Sequence, residues 1–125
     1  MLLENKEIKV FVAGATGAVG SVLCRLLVGN YYKVFGMTRK QEKAEKLLQM
    51  KVNQVILNVY DKEALKAEIV KIQPNVIIHQ LTDLPFGLPK EKMDDGLINN
   101  AKIRDIGTRN LISAARKTNV ERFIT

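Results

Sequence analysis

Apolar runs alternate with amphipathic segments along the whole chain, and this alternation predicts strands that alternate with helices. Short runs rich in β-branched and aromatic residues predict five strands, at residues 8–13, 33–38, 55–59, 76–79 and 122–125. The segments between them carry apolar residues at helical spacing and predict four helices. Residues 81–96 contain two prolines and two glycines and predict a loop between the fourth strand and the fourth helix.

Each predicted helix has an apolar stripe and an end signal. The stripes are Val19, Val22, Leu23, Leu26 and Leu27 in the first helix, Ala44, Leu47 and Leu48 in the second (40–50), Leu65, Ile69 and Ile72 in the third, and Ile103, Ile106, Leu111 and Ala114 in the fourth (97–117). Gly29 and Asn30 are expected to end the first helix, because both tolerate left-handed backbone. Asp61 is expected to cap the third helix and Pro74 to stop it.

Strands and helices that alternate at this spacing indicate βαβ units and a parallel sheet. Right-handed crossovers then give an α/β fold with a doubly wound parallel sheet of the Rossmann type, in strand order 3-2-1-4-5. Strands 1 and 4 diverge in this order, so a ligand crevice is expected at their carboxyl ends. We interpret residues 1–125 as one such domain, which ends after its fifth strand.

A glycine-rich turn, GATGAVG, joins the first strand to the first helix. Gly14 would permit the tight turn, Gly17 would let the backbone approach a pyrophosphate, and Gly20 would let the helix pack close to the sheet. The amides around Ala18 and Val19, at the positive end of the helix, would attract the phosphates. The alternative is a turn that only connects two elements, but the strand before it and the helix after it favour dinucleotide binding.

The GxxGxxG spacing resembles the short-chain dehydrogenase/reductase superfamily, and in particular its extended and atypical members. These include the NAD-dependent epimerase/dehydratases and the NmrA-like reductases. The tract GTRNLISAARKTNVERFI (107–124) is similar to the helix and following strand of epimerase-type members, and PNVIIHQ is similar to their fourth strand. The resemblance covers nearly the whole chain, as the first five strands of a Rossmann domain.

The resemblance also implies where a cofactor would bind. In NAD-preferring members an acidic residue ends the second strand, whereas here Thr38 is followed by Arg39 and Lys40, which can pair with a 2′-phosphate. We therefore favour NADP over NAD; the alternative is that the two cations are a solvated helix start. The complete predicted cofactor site is Gly14, Thr16, Gly17, Ala18, Val19, Gly20, Arg39, Lys40, Asn58 and Val59 (adenine), and Gln80, Leu81 and Thr82 (nicotinamide ribose).

Two further residues invite a chemical interpretation. His79 has an ordinary pKa suited to acid–base work, but related sequences often carry a histidine here without a chemical role, and we favour a hydrogen-bonded structural histidine. Cys24, the only cysteine, is interpreted as a small buried residue and not as a nucleophile. With one cysteine and one histidine, the sequence predicts no metal site.

The catalytic Tyr-x-x-x-Lys pair of the resembling enzymes is missing from this sequence. Tyr31, Tyr32 and Tyr60 have no lysine four residues further on, and the pattern predicts that the catalytic residues and the substrate-binding part lie beyond Thr125. We therefore predict the cofactor-binding N-terminal portion of an epimerase, dehydratase or reductase, which does not transfer hydride alone and whose small-molecule substrate binds in the full-length protein. The alternative is a non-catalytic NADP-binding redox sensor of the NmrA-like kind.

Composition and charge restrict the partners and the location that this protein is expected to have. The chain has 20 basic and 13 acidic residues, a net charge of +7, but the charges alternate along the helices as on solvated faces, and no stacking aromatics accompany them. A nucleic-acid partner is therefore not expected. The sequence shows no apolar run of membrane-spanning length and no secretory signal, which predicts a cytoplasmic protein. An open edge at the fifth strand and the helix at 99–117 predict a homo-oligomer.

Overall fold

A computed structural model describes residues 8–82, 89–116 and 118–125 of the chain. The elements, in chain order, are β1 Lys9–Ala13, α1 Ala18–Gly29, β2 Lys33–Thr38, α2 Gln41–Gln49, β3 Asn53–Ile56, α3 Lys62–Ile72, β4 Val76–His79, a 3-10 turn Lys90–Lys92, α4 Met93–Ala115 and β5 Arg122–Ile124. Within the described ranges, no helix is both long enough and apolar enough to cross a membrane.

The five strands form one parallel sheet in the order β3-β2-β1-β4-β5, which confirms the predicted α/β doubly wound fold. The register places Ala13, the last residue of β1, beside Met37 of β2 and His79 of β4. β1 and β4 are neighbours whose connecting helices lie on opposite faces of the sheet. Their carboxyl ends therefore open the crevice that this topology provides for ligands.

Helices cover both faces of the sheet, and each face has its own apolar core. Strand residues alternate between the two faces, so Val10 and Val12 contribute to one core while Phe11 and Ala13 contribute to the other. The core beneath α1 and α2 contains Val10, Val12, Ala15, Cys24, Val34, Leu47, Val52 and Ile78. The core beneath α3 and α4 contains Phe11, Ala13, Met37, Val55, Val59, Leu65, Ile69, Ile72, Ile77, Ile103, Leu111 and Ala114.

Helix α1 packs on the sheet through Gly20 and Cys24 and, of its predicted apolar stripe, only through Leu23 and Leu27. Gly20 and Cys24 are buried, whereas Val19, Val22 and Leu26 are 62%, 52% and 59% exposed. Gly20 and Cys24 lie on the helix face that meets the sheet, so Val19, Val22 and Leu26, on the other face, are exposed. The predicted stripe of α2 is correct for Ala44 and Leu47 but wrong for Leu48, which is exposed.

The predicted bounds of β3 and α4 are also wrong. β3 begins at Asn53 and ends at Ile56, opposite the last residue of β2, so the predicted strand 55–59 begins too late and extends beyond its partner. The turn follows at Val59 and Tyr60. Helix α4 begins at Met93 and not at residue 97, because Asp94 and Asp95 in its first turn favour a helix N-terminus and outweigh Gly96. Residues 83–88 of the predicted loop lie outside the described residues.

Candidate functional site

The glycine turn leaves β1 through a left-handed residue that is pressed against β4. Gly14 has φ 85°, a region that residues with a Cβ atom rarely adopt. A Cβ atom there would lie 2.5 Å from the carbonyl oxygen of Gln80. The amides of Gly14 and Ala15 both donate to the carbonyl oxygen of Met37 at 3.3 Å. The first glycine is therefore required by the fold itself.

The other two glycines of the turn differ sharply in their surroundings. A Cβ atom on Gly20 would lie 2.1 Å from the carbonyl oxygen of Gly14, so the contact between helix and turn requires glycine. A Cβ atom on Gly17 would meet only that same oxygen at 3.4 Å, which is an ordinary contact, and Gly17 is exposed with φ −72°. Nothing in the described protein requires glycine at position 17.

The N-terminus of α1 presents amides that no described part of the chain caps. Ser21 is the first residue of α1 whose amide is hydrogen-bonded; it donates to the carbonyl oxygen of Gly17 at 2.9 Å. Gly17 is the N-cap residue and supplies no side-chain bond, and the first turn contains no acidic residue. The amides of Ala18, Val19 and Gly20 therefore point out of the helix towards the crevice. By contrast, the carboxylate of Asp61 caps α3 by accepting from the amide of Ala64 at 3.2 Å, as predicted.

Polar and basic side chains follow β2 beside this turn. Thr38 is buried, and its hydroxyl lies 3.5 Å from the hydroxyl of Thr16 in the glycine turn. The Thr38 hydroxyl also accepts from the amide of Lys40 at 3.4 Å. Arg39 and Lys40 are exposed, directly before α2. The hydroxyl pair thus ties the glycine turn to the segment that carries both cations.

The residues after β3 form a turn that α4 holds in place. The side-chain oxygen of Asn58 accepts from the amide of Tyr60 at 3.0 Å, so this oxygen already serves the turn. Val59 is buried, and its carbonyl oxygen accepts from the side-chain amide of Asn110 at 2.9 Å. Asn110 was not predicted to have a role near the site. No local pattern reveals it, because it lies 51 residues from its partner.

The end of β4 runs beside the glycine turn. The amide of Gln80 donates to the carbonyl oxygen of Ala13 at 2.8 Å and so continues the β1–β4 ladder into the crevice. Gln80 and Leu81 are half-buried, and Thr82 is exposed. All three predicted residues of this segment therefore lie at the same edge of the sheet as Gly14.

His79 is completely buried and is hydrogen-bonded at both ring nitrogens. Its Nδ1 atom accepts from the amide of Leu81 at 3.2 Å, which places the ring proton on Nε2, 3.4 Å from the carbonyl oxygen of Arg104. Burial lowers the pKa of the imidazole below 6.5; the hydrogen bond to Arg104 raises it and the positive charge of Arg104 lowers it. The ring is thus a neutral link between β4 and α4.

Cys24 is also buried, in the core beneath α1. Burial raises the pKa of its thiol to about 11, so the reactive thiolate is disfavoured. Among the described residues there is no group of three or more histidine, cysteine or acidic residues that could hold a metal ion.

The fold brings the four predicted cofactor segments to one edge. Residues 58–59, residues 38–40, the glycine turn and residues 80–82 lie at the carboxyl ends of β3, β2, β1 and β4, which is the order of these strands in the sheet. Gly17, Ala18 and Val19 are the exposed members of the turn. This arrangement places the uncapped amides near the middle of the carboxyl edge and two cations on its β2 side.

The chain matches known proteins along most of its length. The profile of the NAD dependent epimerase/dehydratase family matches residues 10–125. A 3-diazoavenalumate denitrifying reductase from a Streptomyces species is 29% identical over 116 residues, which are 93% of this chain and 36% of that protein.

Solved structures of similar proteins have the same fold. The Bordetella bronchiseptica enzyme WbmH, in complex with NAD+, is 25% identical with a TM-score of 0.68 over 93% of this chain and 38% of its own. Yeast methylglyoxal/isovaleraldehyde reductase Gre2, complexed with NADPH, is 24% identical with a TM-score of 0.73 over 93% of this chain and 36% of its own. The UDP-Glc/GlcNAc 4-epimerase from Campylobacter jejuni is 18% identical with a TM-score of 0.76 over 93% of this chain and 36% of its own.

The class defined by the fold and the glycine turn is an α/β protein of the Rossmann type. Because the family profile matches nearly the whole sequence, the chain belongs to the NAD dependent epimerase/dehydratase family. It spans between a third and two fifths of the length of these relatives.

Proposed function

We propose that this chain binds a nicotinamide dinucleotide, with the diphosphate at the N-terminus of α1. The observation that carries the proposal is the row of uncapped amides at Ala18, Val19 and Gly20, without an acidic residue in the first turn. Such amides, together with the positive end of the helix, attract phosphate oxygens. The family of the chain and the NAD+ and NADPH bound by two similar enzymes support the same ligand class.

Gly17 supports the position of the diphosphate. Its backbone conformation is open to any residue, and the protein leaves the space at its Cα clear. A side chain at position 17 would project beside the exposed amides of the first turn. Glycine at this position leaves room for a ligand to approach the backbone closely.

We favour NADP over NAD because of the cations after β2. The Thr16–Thr38 hydroxyl pair holds this segment beside the glycine turn, and Arg39 and Lys40 follow immediately. A guanidinium binds a 2′-phosphate through two parallel bonds, and neither cation can accept a hydrogen bond from a free ribose hydroxyl. An acidic residue, which would accept that bond, does not occur at positions 38–40.

The two halves of the cofactor would then lie on either side of the diphosphate. Residues 58 and 59 follow β3 and would border the adenine. The Asn58 side-chain oxygen already accepts from Tyr60, so we assign the adenine contact to its amide group and to Val59. On the other side Gln80, Leu81 and Thr82 follow β4 and would border the nicotinamide ribose.

We further propose that the chain supplies the cofactor half of an epimerase, dehydratase or reductase and does not transfer hydride alone. Tyr31 and Tyr32 lie between α1 and β2, at the amino edge of the sheet, on the opposite side from the crevice. The ring of Tyr60 lies under the ammonium group of Lys102 at 5.7 Å, and no lysine stands four residues after it. A non-catalytic NADP sensor would bind NADP in the same way, and no contact of the described residues favours this alternative over the enzyme.

We also propose that the chain self-associates through α4 or the β5 edge. Leu97, Ile98 and Ile112 of α4 are 51%, 66% and 41% exposed, and Ile124 of the edge strand β5 is 47% exposed. Exposed apolar side chains and an unpaired parallel edge both favour association. Light scattering that gives a monomer mass at high protein concentration would contradict this.

Calorimetric titration with NADP tests the proposed cofactor site. Gly17→Ala adds one methyl group next to the amides, and we expect its affinity to fall by at least about tenfold, equivalent to about 1.4 kcal/mol. Gly29→Ala is the matched control, because a Cβ atom at position 29 meets nothing within 4 Å. If Gly17→Ala and Gly29→Ala both bind NADP as tightly as the parent chain, the diphosphate lies elsewhere.

A further inference from the structure

The guanidinium of Arg104 lies at the carboxyl edge of the sheet, beyond β4 and β5. Its Nη2 atom donates to the hydroxyl oxygen of Thr125 at 3.2 Å. The register pairs Ile78 with Ile124, so Thr125 follows beside His79, the last residue of β4. This edge is the one from which the glycine turn leaves β1.

Arg104 lies on the opposite side of the glycine turn from the cations after β2. With strands about 4.8 Å apart, Thr125 is about 10 Å from the end of β1 in one direction, whereas Arg39 is one strand away in the other. A dinucleotide with its diphosphate at the glycine turn and its adenosine towards β2 extends its nicotinamide half towards β4 and β5. The charge of Arg104 is therefore needed neither for the diphosphate at the glycine turn nor for the 2′-phosphate beside Arg39.

Arg104 has no carboxylate partner among residues 8–82, 89–116 and 118–125, although it is half-buried. In the same helix, exposed Arg109 does have one: its Nε atom lies 3.1 Å from Asp105. A guanidinium has five N–H donors, and the hydroxyl of Thr125 uses one of them. Because partly buried charges are normally paired, the remaining donors are suited to an anion at this edge of the sheet.

The backbone of Arg104 is held from two directions. Its carbonyl oxygen accepts from the hydroxyl of Thr108 and from Nε2 of His79. Gly107 faces the His79 ring so closely that a Cβ atom there would lie 3.3 Å from Nε2. These contacts fix the backbone from which the side chain extends, and the hydrogen bond to Thr125 places the guanidinium at the carboxyl edge.

We propose that Arg104 binds an anionic group of the substrate, a carboxylate or a phosphate, on the nicotinamide side of the crevice. This rests on the proposed function, because the crevice must hold the cofactor for the anion to lie beside it. Arg104 would select substrates with a negative charge near the reacting carbon. In the alternative, Arg104 only ties α4 to the end of β5 and binds no ligand.

The test is a titration of the 125-residue chain with sodium benzoate and, separately, with inorganic phosphate, at constant ionic strength. Nitrogen–proton NMR signals of the Arg104 side chain and the Thr125 amide report binding, with and without saturating NADP. Arg104→Gln removes the charge, and Arg109→Gln removes the same charge from an exposed position of the same helix. Melting curves establish that each variant is folded.

We expect saturable shifts in the parent and in Arg109→Gln, and an apparent affinity at least about tenfold weaker in Arg104→Gln. If Arg104→Gln does not fold, Arg104→Lys replaces it: it keeps the charge but loses the planar pair of donors, so benzoate binding should weaken more than phosphate binding. A response to benzoate alone assigns a carboxylate, and a response to phosphate alone assigns a phosphate.

Two results would overturn the proposal: no saturable shift in the parent with either anion, or equal affinity in the parent and Arg104→Gln. Failure of the proposed function can be told apart from failure of this proposal, because in that case the parent chain does not bind NADP. NADP binding by Arg104→Gln should stay within about twofold of the parent, since the residue is assigned to the substrate and not to the cofactor.

Discussion

The carbonyl oxygen of Gly14 lies 2.1 Å from the position that a Cβ atom on Gly20 would occupy. The first turn of α1 therefore rests directly on the backbone of the glycine turn. This contact sets the depth at which the helix packs on the sheet and directs its first amides to the crevice. Stability and ligand geometry depend on the same two glycines.

Substitution of Gly20 should destabilise the protein. In Gly20→Ala the new methyl group meets backbone atoms, which cannot rotate away, and we expect a loss of about 1–3 kcal/mol in the free energy of unfolding. Urea denaturation measures this loss. Gly29→Ala, in the same helix but in open space, should be neutral or stabilise by up to about 1 kcal/mol. Equal effects of the two substitutions would show that the close contact is not present.

His79 should make stability depend on pH. Because burial lowers the pKa of the folded imidazole below 6.5, the unfolded chain binds this proton more readily than the folded chain does. The contribution of the neutral His79 ring to stability is therefore complete above about pH 6.5, and it is lost as the pH falls through the pKa of His79 in the folded chain. We expect the free energy of unfolding to fall from pH 7 towards pH 5, by at most about 1.4 kcal/mol per pH unit.

The control for this pH effect is His79→Gln. A glutamine side chain offers a donor for the Arg104 carbonyl oxygen and an acceptor for the Leu81 amide, but it does not titrate. Its unfolding free energy should be nearly constant between pH 7 and pH 6, where few other groups titrate. The same slope in the parent and the variant would assign the pH dependence to other residues.

Cys24 should be unreactive in the folded protein. The side chain is fully buried and its pKa is raised to about 11, so little thiolate is present and reagents have no access. We expect a thiol reagent at pH 7.5 to label the urea-unfolded chain rapidly and the native chain only at the rate of unfolding. Rapid labelling of the native chain would mean that α1 does not pack on the sheet as described.

The cations after β2 should distinguish the two cofactors. Arg39→Ala should weaken NADP binding by at least about tenfold and change NAD binding by less than about twofold, because only NADP has the 2′-phosphate. Lys43→Ala removes the same charge from an exposed position in α2 and serves as the control. Equal losses for NADP and NAD would remove Arg39 from phosphate recognition.

The strands that the sequence predicts best are those bounded by strong local signals. β2 and β4 have the predicted bounds, and the three buried stripe residues of α3 are all correct. The glycine spacing, together with the strand and helix around it, located the turn at the crevice. These features depend on neighbours in the chain, and sequence patterns report such neighbours directly.

Features that depend on distant contacts were not predictable. The end of β3 is set by the length of β2, and Val19 and Val22 are exposed because Gly20 and Cys24 form the face of α1 that packs on the sheet. The hydrogen bond from Asn110 to Val59 joins residues 51 positions apart. Helical periodicity identifies an apolar stripe, but in α1 the face that packs on the sheet is centred on Gly20 and Cys24 and is offset from that stripe.

The most direct test of the account is amide NMR of the isotopically labelled chain during titration with NADP. We predict that the largest shifts fall on the amides of Ala18, Val19 and Gly20, which would acquire phosphate acceptors. Smaller shifts should follow at residues 38–40 and 80–82. Shifts confined to exposed lysines away from the carboxyl edge, or no shift at these three amides at saturating NADP, would contradict the central claim.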